Sequence, residues 1–283
     1  GLLRRQRQMC IRDRTMTEQI QSHPKSFQVT KWFGPQTANV MLPDDGLDAL
    51  IKMTDSIIED NKSISHGQSL AGVIDKELRI YKSDMEEAAV DNLLESCVKS
   101  YVIHCAKQHN MFQENYVIET NINSAWVVSQ HENEYNPLHN HTGCELSGVI
   151  YLKVPDVKGR RNLESKKGKI DSDGDINFVY NAASQRNQDV FEKGLVQITP
   201  TPGLMLMFPS YLVHTVYPFI GEGERRCIAF NGSYRVVEPT SEYKVGEPIK
   251  GNIIAGNLNG VKNNYFYLDE KKVYSYEEDK RSE

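Results

Sequence analysis

Three short runs of this sequence hold residue types that could work together on one centre. The first is Asn136-Pro137-Leu138-His139-Asn140-His141. On an extended segment side chains alternate with period two, so His139 and His141 face the same way and can address a single metal ion. The second run is Thr201 to His214: a turn, an apolar strand, a second turn, then a histidine among Leu212, Val213, Val216 and Tyr217. An imidazole inside an apolar strand is costly to bury unless a metal or a hydrogen-bonding backbone group uses its nitrogens. The third is Arg225, eleven residues after His214, which opens Arg225-Arg226-Cys227-Ile228-Ala229-Phe230-Asn231. Strand parity puts Arg225, Cys227, Ala229 and Asn231 on one face and Arg226 on the other. An inward-facing arginine calls for an anion, and a carboxylate matches its planar fork.

Each piece alone also has an ordinary reading. A His-x-His pair is often a surface accident, His214 could be a core histidine bonded to backbone, and Arg225 a surface arginine at a strand start. His131, eight residues before His139, is a spare candidate ligand or a residue of a polar rim. His104 and His109 have no partner at metal spacing and read as surface or packed histidines.

The elements that must position these residues are mostly strands. Trp126–Gln130, Leu146–Val154, Asp175–Tyr180, Leu195–Thr199, Leu204–Phe208, Leu212–Tyr217 and Arg225–Tyr234 are short β-type runs. Turn residues such as Pro155-Asp156, Asp173-Gly174 and Pro202-Gly203 separate them. Close spacing with such punctuation predicts a β-sandwich or barrel. Ahead of it, Phe27–Trp32 reads as a strand, and apolar periodicity predicts helices over Asp44–Asp60 and about Met85–His109. The lysine- and arginine-bearing segment 156–174 is expected to be an exposed loop, and 265–276 a terminal hairpin.

The chain is therefore divided into 1–15 outside the fold, 16–117 as a strand and helices packing on the barrel, 118–238 as the core, and 239–283 as an extension. Leu3–Arg14 is basic and lacks apolar periodicity, so it reads as either a translated adapter fragment ahead of a start at Met16 or a disordered basic arm. With 283 residues, of which 39% are hydrophobic, the chain can bury one good core. A net charge of −5 with dispersed Lys and Arg argues against nucleic-acid binding. No apolar run approaches a membrane span and no signal-peptide pattern appears, so a soluble, cytoplasmic protein is expected. Five cysteines without a Cys-x-x-Cys pair speak against a disulfide framework or a thiolate zinc site.

Taken together, His139, His214 and Arg225 over about 118–235 resemble the 2-oxoglutarate and iron(II)-dependent oxygenase superfamily. More narrowly, they look like a phage and marine bacterial branch distantly similar to prolyl hydroxylases. The resemblance implies an α+β, mainly β fold: a double-stranded β-helix, or jelly roll, with an N-terminal helical layer. It implies an iron(II) ion held by His139, His141 and His214, with 2-oxoglutarate as cosubstrate and molecular oxygen as the oxidant of a small-molecule or peptide substrate. Arg225 and Tyr151 would hold the far carboxylate of 2-oxoglutarate, with Cys227 and Asn231 as further pocket candidates. His141 departs from the superfamily, which usually has a carboxylate there; a third imidazole still allows facial ligation with open positions. Two other readings stand beside this one. His139 to Glu145 satisfies the start of a cupin pattern but lacks the glycine expected seven residues after Glu145, and it leaves Arg225 unexplained. A barrel without turnover, of phage or bacterial origin, is the third.

Overall fold

The structure is a computed structural model that describes residues 26–31, 34–60, 63–67, 70–155, 172–180, 194–240 and 251–256. The expected arm at 1–15, the hairpin at 265–276 and all but the last three residues of the 156–174 loop lie outside the described residues. Strands β1 (Ser26–Lys31) and β2 (Gln36–Met41) precede helix α1 (Asp44–Glu59). Strand β3 (Lys76–Ile80) and the short helix α2 (Lys82–Glu87) precede α3 (Asp91–Gln108). Then come β4 (Val117–Gln130), β5 (Asn136–His139), β6 (Leu146–Lys153), β7 (Ile176–Val179) and β8 (Leu195–Ile198). The last are β9 (Leu204–Pro209), β10 (Val213–Val216), β11 (Arg225–Pro239) and β12 (Gly251–Gly256).

These strands make two antiparallel sheets. The larger runs β1-β2-β9-β6-β11-β4-β3, with β12 paired to β11, and the smaller runs β5-β10-β7-β8. The central strands of the larger sheet are apolar at both parities, because each parity enters a different core. Ala125 and Val127, Ile150 and Leu152, Met205 and Met207, and Ile228 and Phe230 pack with the helices. Trp126 and Val128, Val149 and Tyr151, Leu206 and Phe208, and Cys227 face Ile176, Phe178 and Val216 of the smaller sheet. Two facing antiparallel sheets around one interior, with a helical layer behind the larger, are the expected jelly roll.

Helix α1 starts where the sequence puts it. Pro43 precedes the first turn, Asp44 and Asp45 meet the positive end of the helix dipole, and Leu50, Met53, Thr54 and Ile57 form its buried stripe. The single helix expected over Met85–His109 is instead two, because the chain breaks at Ala89 with φ 56°. No glycine or proline marks that break. The segment before residue 117 also contributes more than a layer against the barrel: β1, β2 and β3 hydrogen-bond into the large sheet itself. Strand β12, unforeseen in the polar stretch after 238, pairs with the far half of β11.

Candidate functional site

His139 ends β5, His141 stands two residues further on in the following turn, and His214 lies on β10 directly opposite His139 in the strand pairing. Ring centroids are 4.3 Å apart for His139–His214, 5.3 Å for His139–His141 and 5.2 Å for His141–His214. One nitrogen from each falls within 4.8 Å of the others, so the three form a group able to hold one metal ion. Backbone carbonyls set the tautomers: Nδ1 of His139 is 2.7 Å from the Pro137 oxygen and Nδ1 of His214 is 2.9 Å from the Leu212 oxygen. A carbonyl only accepts, so each Nδ1 carries the hydrogen and each Nε2 keeps a lone pair for a metal. Nε2 of His141 and Nε2 of His214 stand 3.4 Å apart, so both nitrogens are turned toward the same point between the rings. Burial, reinforced by His139, lowers the pKa of His141 to about 4 and pushes that of His214 well below the ordinary histidine value. Both are neutral ligands near neutral pH. The His141 backbone N–H donates to the Ser210 carbonyl (3.0 Å), tying the turn to the end of β9. Phe208 stands edge-on to His214 at 4.9 Å, and Trp126 is 6.2 Å from His141.

Arg225 lies deeper in the same barrel, only 2% exposed. Its Nε donates to the Gly174 carbonyl (2.9 Å) and its Nη1 to Gln130 Oε1 (3.1 Å), with Cys227 Sγ at 3.7 Å. Among the described residues Nη2 has no hydrogen-bond partner, and neither has the hydroxyl of the fully buried Tyr151. The guanidinium sits over the Tyr151 ring, 5.0 Å from its centroid. Burial raises the Tyr151 pKa despite the nearby Arg225 charge, so the hydroxyl stays protonated and can donate. No carboxylate forms an ion pair with Arg225 among the described residues. A buried cation with an idle donor beside a second idle donor is an anion site in its chemistry. The carbonyl that holds Arg225 belongs to Gly174, whose φ of 72° favours glycine.

Strand β4 links the two ends. Trp126 near the triad and Gln130 at Arg225 are four residues apart on one face, about 13 Å along a strand. Val128 lies between them, and across β11 Cys227 pairs with Val128 on one side and Tyr151 on the other. The sequence-stated residues therefore divide: Tyr151 and Cys227 gather at Arg225, whereas Asn231 is at the triad end, where its Oδ1 accepts from Ser147 Oγ (2.8 Å). His131 is exposed and outside the metal group, and His104 is exposed and bonded to the Ser100 carbonyl. Glu145, the acid of the cupin-type pattern, is not in the metal group; it lines a cleft on the helix side of the large sheet. Sequence reasoning passed over Gln130, although its parity with Trp126 and Val128 already placed it on the inner face. It also passed over Gly174, visible only as a turn residue, and the His66 ring that lies 4.7 Å from Trp126.

No curated protein matches the sequence. A family model for 2OG-Fe(II) oxygenases matches residues 124–231, which include all three histidines and Arg225. Among solved structures the chain is similar to a Pseudomonas putida prolyl-4-hydroxylase, with 12% identity over 69% of this chain and 91% of that one, at a TM-score of 0.44. A Trichoplax adhaerens prolyl hydroxylase, solved with a hypoxia inducible factor peptide, has 15% identity over 73% and 82%, at 0.46. The α-ketoglutarate-dependent epimerase SnoN of nogalamycin biosynthesis has 11% identity over 79% and 93%, at 0.45. Among the described residues, no helix is long and apolar enough to cross a membrane. Over its core strands, residues 124–231, the chain is similar to the 2-oxoglutarate- and iron(II)-dependent oxygenases.

Proposed function

We propose that this protein is a non-haem iron(II) oxygenase that couples decarboxylation of 2-oxoglutarate to hydroxylation of a small-molecule or peptide substrate. The observation that carries the reading is Arg225: a buried guanidinium in no ion pair among the described residues, with idle Nη2 beside the idle hydroxyl of Tyr151, in the barrel that holds the histidine group. His139, His141 and His214 would hold the iron. Three neutral imidazoles bring no negative charge, so the site favours an anionic co-ligand more strongly than one containing a carboxylate. Arg225 and Tyr151 would supply charge and hydrogen bonds to the far carboxylate of 2-oxoglutarate, and Gln130 and Gly174 hold Arg225 in place for it. Iron and 2-oxoglutarate together would supply the oxidising power that inserts one oxygen atom of O2 into a C–H bond, with succinate and carbon dioxide as coproducts. Phe178, Phe208 and Trp126 exclude water around the histidines.

The test is succinate formation by purified protein given iron(II), 2-oxoglutarate and oxygen, with each omitted in turn. Succinate should require all three. His139→Ala and His214→Ala should each abolish stoichiometric iron(II) binding, whereas His104→Ala should not. Iron binding without any 2-oxoglutarate binding would sink the oxygenase reading and leave only a metal site.

A further inference from the structure

Behind the turn that carries His141, on the helix side of the large sheet, lies a cleft of about 300 Å³. It opens between the start of β2, the second half of α3, the start of β6, the turn after β9 and the far half of β11. Its floor is apolar, with Val102, Ala106, Leu146 and Val236. Its polar lining is unbalanced. Gln36 is 5% exposed, its Nε2 lies 3.0 Å from His109 Nε2, and its buried Oε1 has no partner. Glu145 also turns a buried oxygen, Oε2, that has no partner. Both idle atoms are acceptors, one belongs to an acid, and among the described residues no lysine or arginine lines the cleft. Three tyrosines, Tyr101, Tyr211 and Tyr234, complete the wall. Burial, with Cys105, Glu145 and Tyr211 close by, raises the Tyr234 pKa and keeps its hydroxyl neutral.

Idle acceptors, one negative charge and aromatic faces around an apolar floor are complementary to a cation on an aliphatic stem. We infer that this cleft binds an alkylammonium group, supplied either by a free amine or by a lysine side chain of a peptide. The ammonium meets Glu145 and Gln36, and the stem lies on the apolar floor. One residue stands between the cleft and the histidine group. Ser210 donates its N–H to the Glu145 carbonyl (3.1 Å) and its Oγ–H to the Cys144 carbonyl (2.7 Å), while its own carbonyl accepts the His141 N–H (3.0 Å). The inference stands apart from the oxygenase reading, since no metal or 2-oxoglutarate enters it.

The experiment is calorimetric titration of the full chain, without iron, with N-acetyl-lysine methylamide, butylamine and the neutral N-acetyl-norleucine methylamide. Saturable one-to-one binding of the amines is expected, with the norleucine compound at least about tenfold weaker. Glu145→Gln should weaken amine binding about tenfold or more, and Tyr211→Ala about fivefold. Tyr211 is 59% exposed, so that variant keeps the fold and the test remains decisive if Glu145→Gln does not fold. His214→Ala should leave amine binding unchanged, which separates this site from the metal site. Lysine amide bound much more tightly than butylamine identifies a peptide side chain as the source; equal affinities identify a free amine. Equal binding of the norleucine and lysine compounds, no saturable binding, or indifference to both the Glu145 and Tyr211 variants overturns the inference.

Discussion

Two arginines open β11, one residue apart in sequence and on opposite faces of the sheet. Arg226, 5% exposed, faces the helices: its Nε and Nη2 each lie 2.8 Å from an oxygen of Glu224, and its Nη1 reaches Asp55 (2.5 Å) and Thr54 (3.3 Å) of α1. Arg225, 2% exposed, faces the barrel interior and among the described residues is held only by neutral groups, with Nη2 idle. Burial is the same and the partners are not. A buried charge whose donors are matched by carboxylates is part of the fold, because the protein itself supplies what desolvation demands. A buried charge left partly unmatched has donors free for something else to complete, which is why the proposed function places the cosubstrate carboxylate at Arg225.

The comparison is sharpest at Arg225. Arg225→Ala should remove a charge-assisted pair worth roughly 2–5 kcal/mol, raising the 2-oxoglutarate dissociation constant about 30-fold or more. Arg225→Lys should recover part of the loss, since an ammonium cannot present the planar fork. Iron(II) binding should survive both changes, and thermal stability of the ligand-free protein should change little. Isothermal titration with 2-oxoglutarate in the presence of iron(II) and the absence of oxygen reads the effect. A 2-oxoglutarate affinity untouched by Arg225→Ala would break the comparison at its functional end.

Arg226 gives the opposite pattern. Strand parity turns Arg226 away from the proposed cosubstrate, and its guanidinium ties β11 to α1 instead. Removing it should destabilise the protein by about 3 kcal/mol, the low end for breaking a buried pair. The cost stays at that end because Asp55 keeps Lys153 (2.7 Å) and is itself 40% exposed. The 2-oxoglutarate affinity should stay within about twofold of wild type. Denaturant midpoints measured beside the titration separate the two effects. If both arginines changed stability and neither changed affinity, the two faces of β11 would be equivalent.

How much of this was legible in the sequence follows from where periodicity speaks. Period two placed Arg225, Cys227 and Asn231 on one face and Arg226 on the other, and it paired His139 with His141. It did not say what Arg226 meets, because Asp55 lies 171 residues away on a helix. Nor did it distinguish positions along a face: Asn231 shares the parity of Arg225 but sits six residues further on, about 20 Å along the strand. Strands β2 and β3 went unseen because each is short and alternates over only two apolar positions, Ala38 and Val40 in Gln36–Met41 and Leu78 and Ile80 in Lys76–Ile80. The break at Ala89, where φ is 56°, carries no glycine, proline or asparagine to signal it.

Glu77 on β3 extends the comparison to an acid. It is 2% exposed, forms no ion pair among the described residues, and its pKa is raised to about 7 by burial and then by Glu134. The folded state therefore holds a proton that the unfolded chain, titrating near 4.5, has released. Stability from this group is fully present below the unfolded value and is lost as pH rises through about 7, by roughly 3 kcal/mol in all. Glu77→Gln should remove that slope. Urea midpoints at mildly acidic and mildly alkaline pH, compared for the two proteins, check it. Parallel curves would mean that Glu77 is matched as Arg226 is.

The smallest effect is expected at Cys227, which touches Arg225 without completing it. Its Sγ is 3.7 Å from Arg225 Nη1, and burial raises its pKa, keeping it a neutral thiol and a weak acceptor. Cys227→Ser replaces a long C–S bond by a shorter C–O bond, so the oxygen withdraws from Nη1 while becoming a better acceptor. These changes oppose each other, and neither involves the idle Nη2. The 2-oxoglutarate dissociation constant should move by less than about threefold, within the net worth of one neutral hydrogen bond. Stability should fall by about 1 kcal/mol, because a buried hydroxyl is costlier than a thiol in an apolar setting. Titration and denaturant midpoints on the single variant measure both. A change in affinity beyond about tenfold would mean that Cys227 contacts the cosubstrate directly, and Arg225 would no longer be the sole anion-recognising group on the inner face of β11.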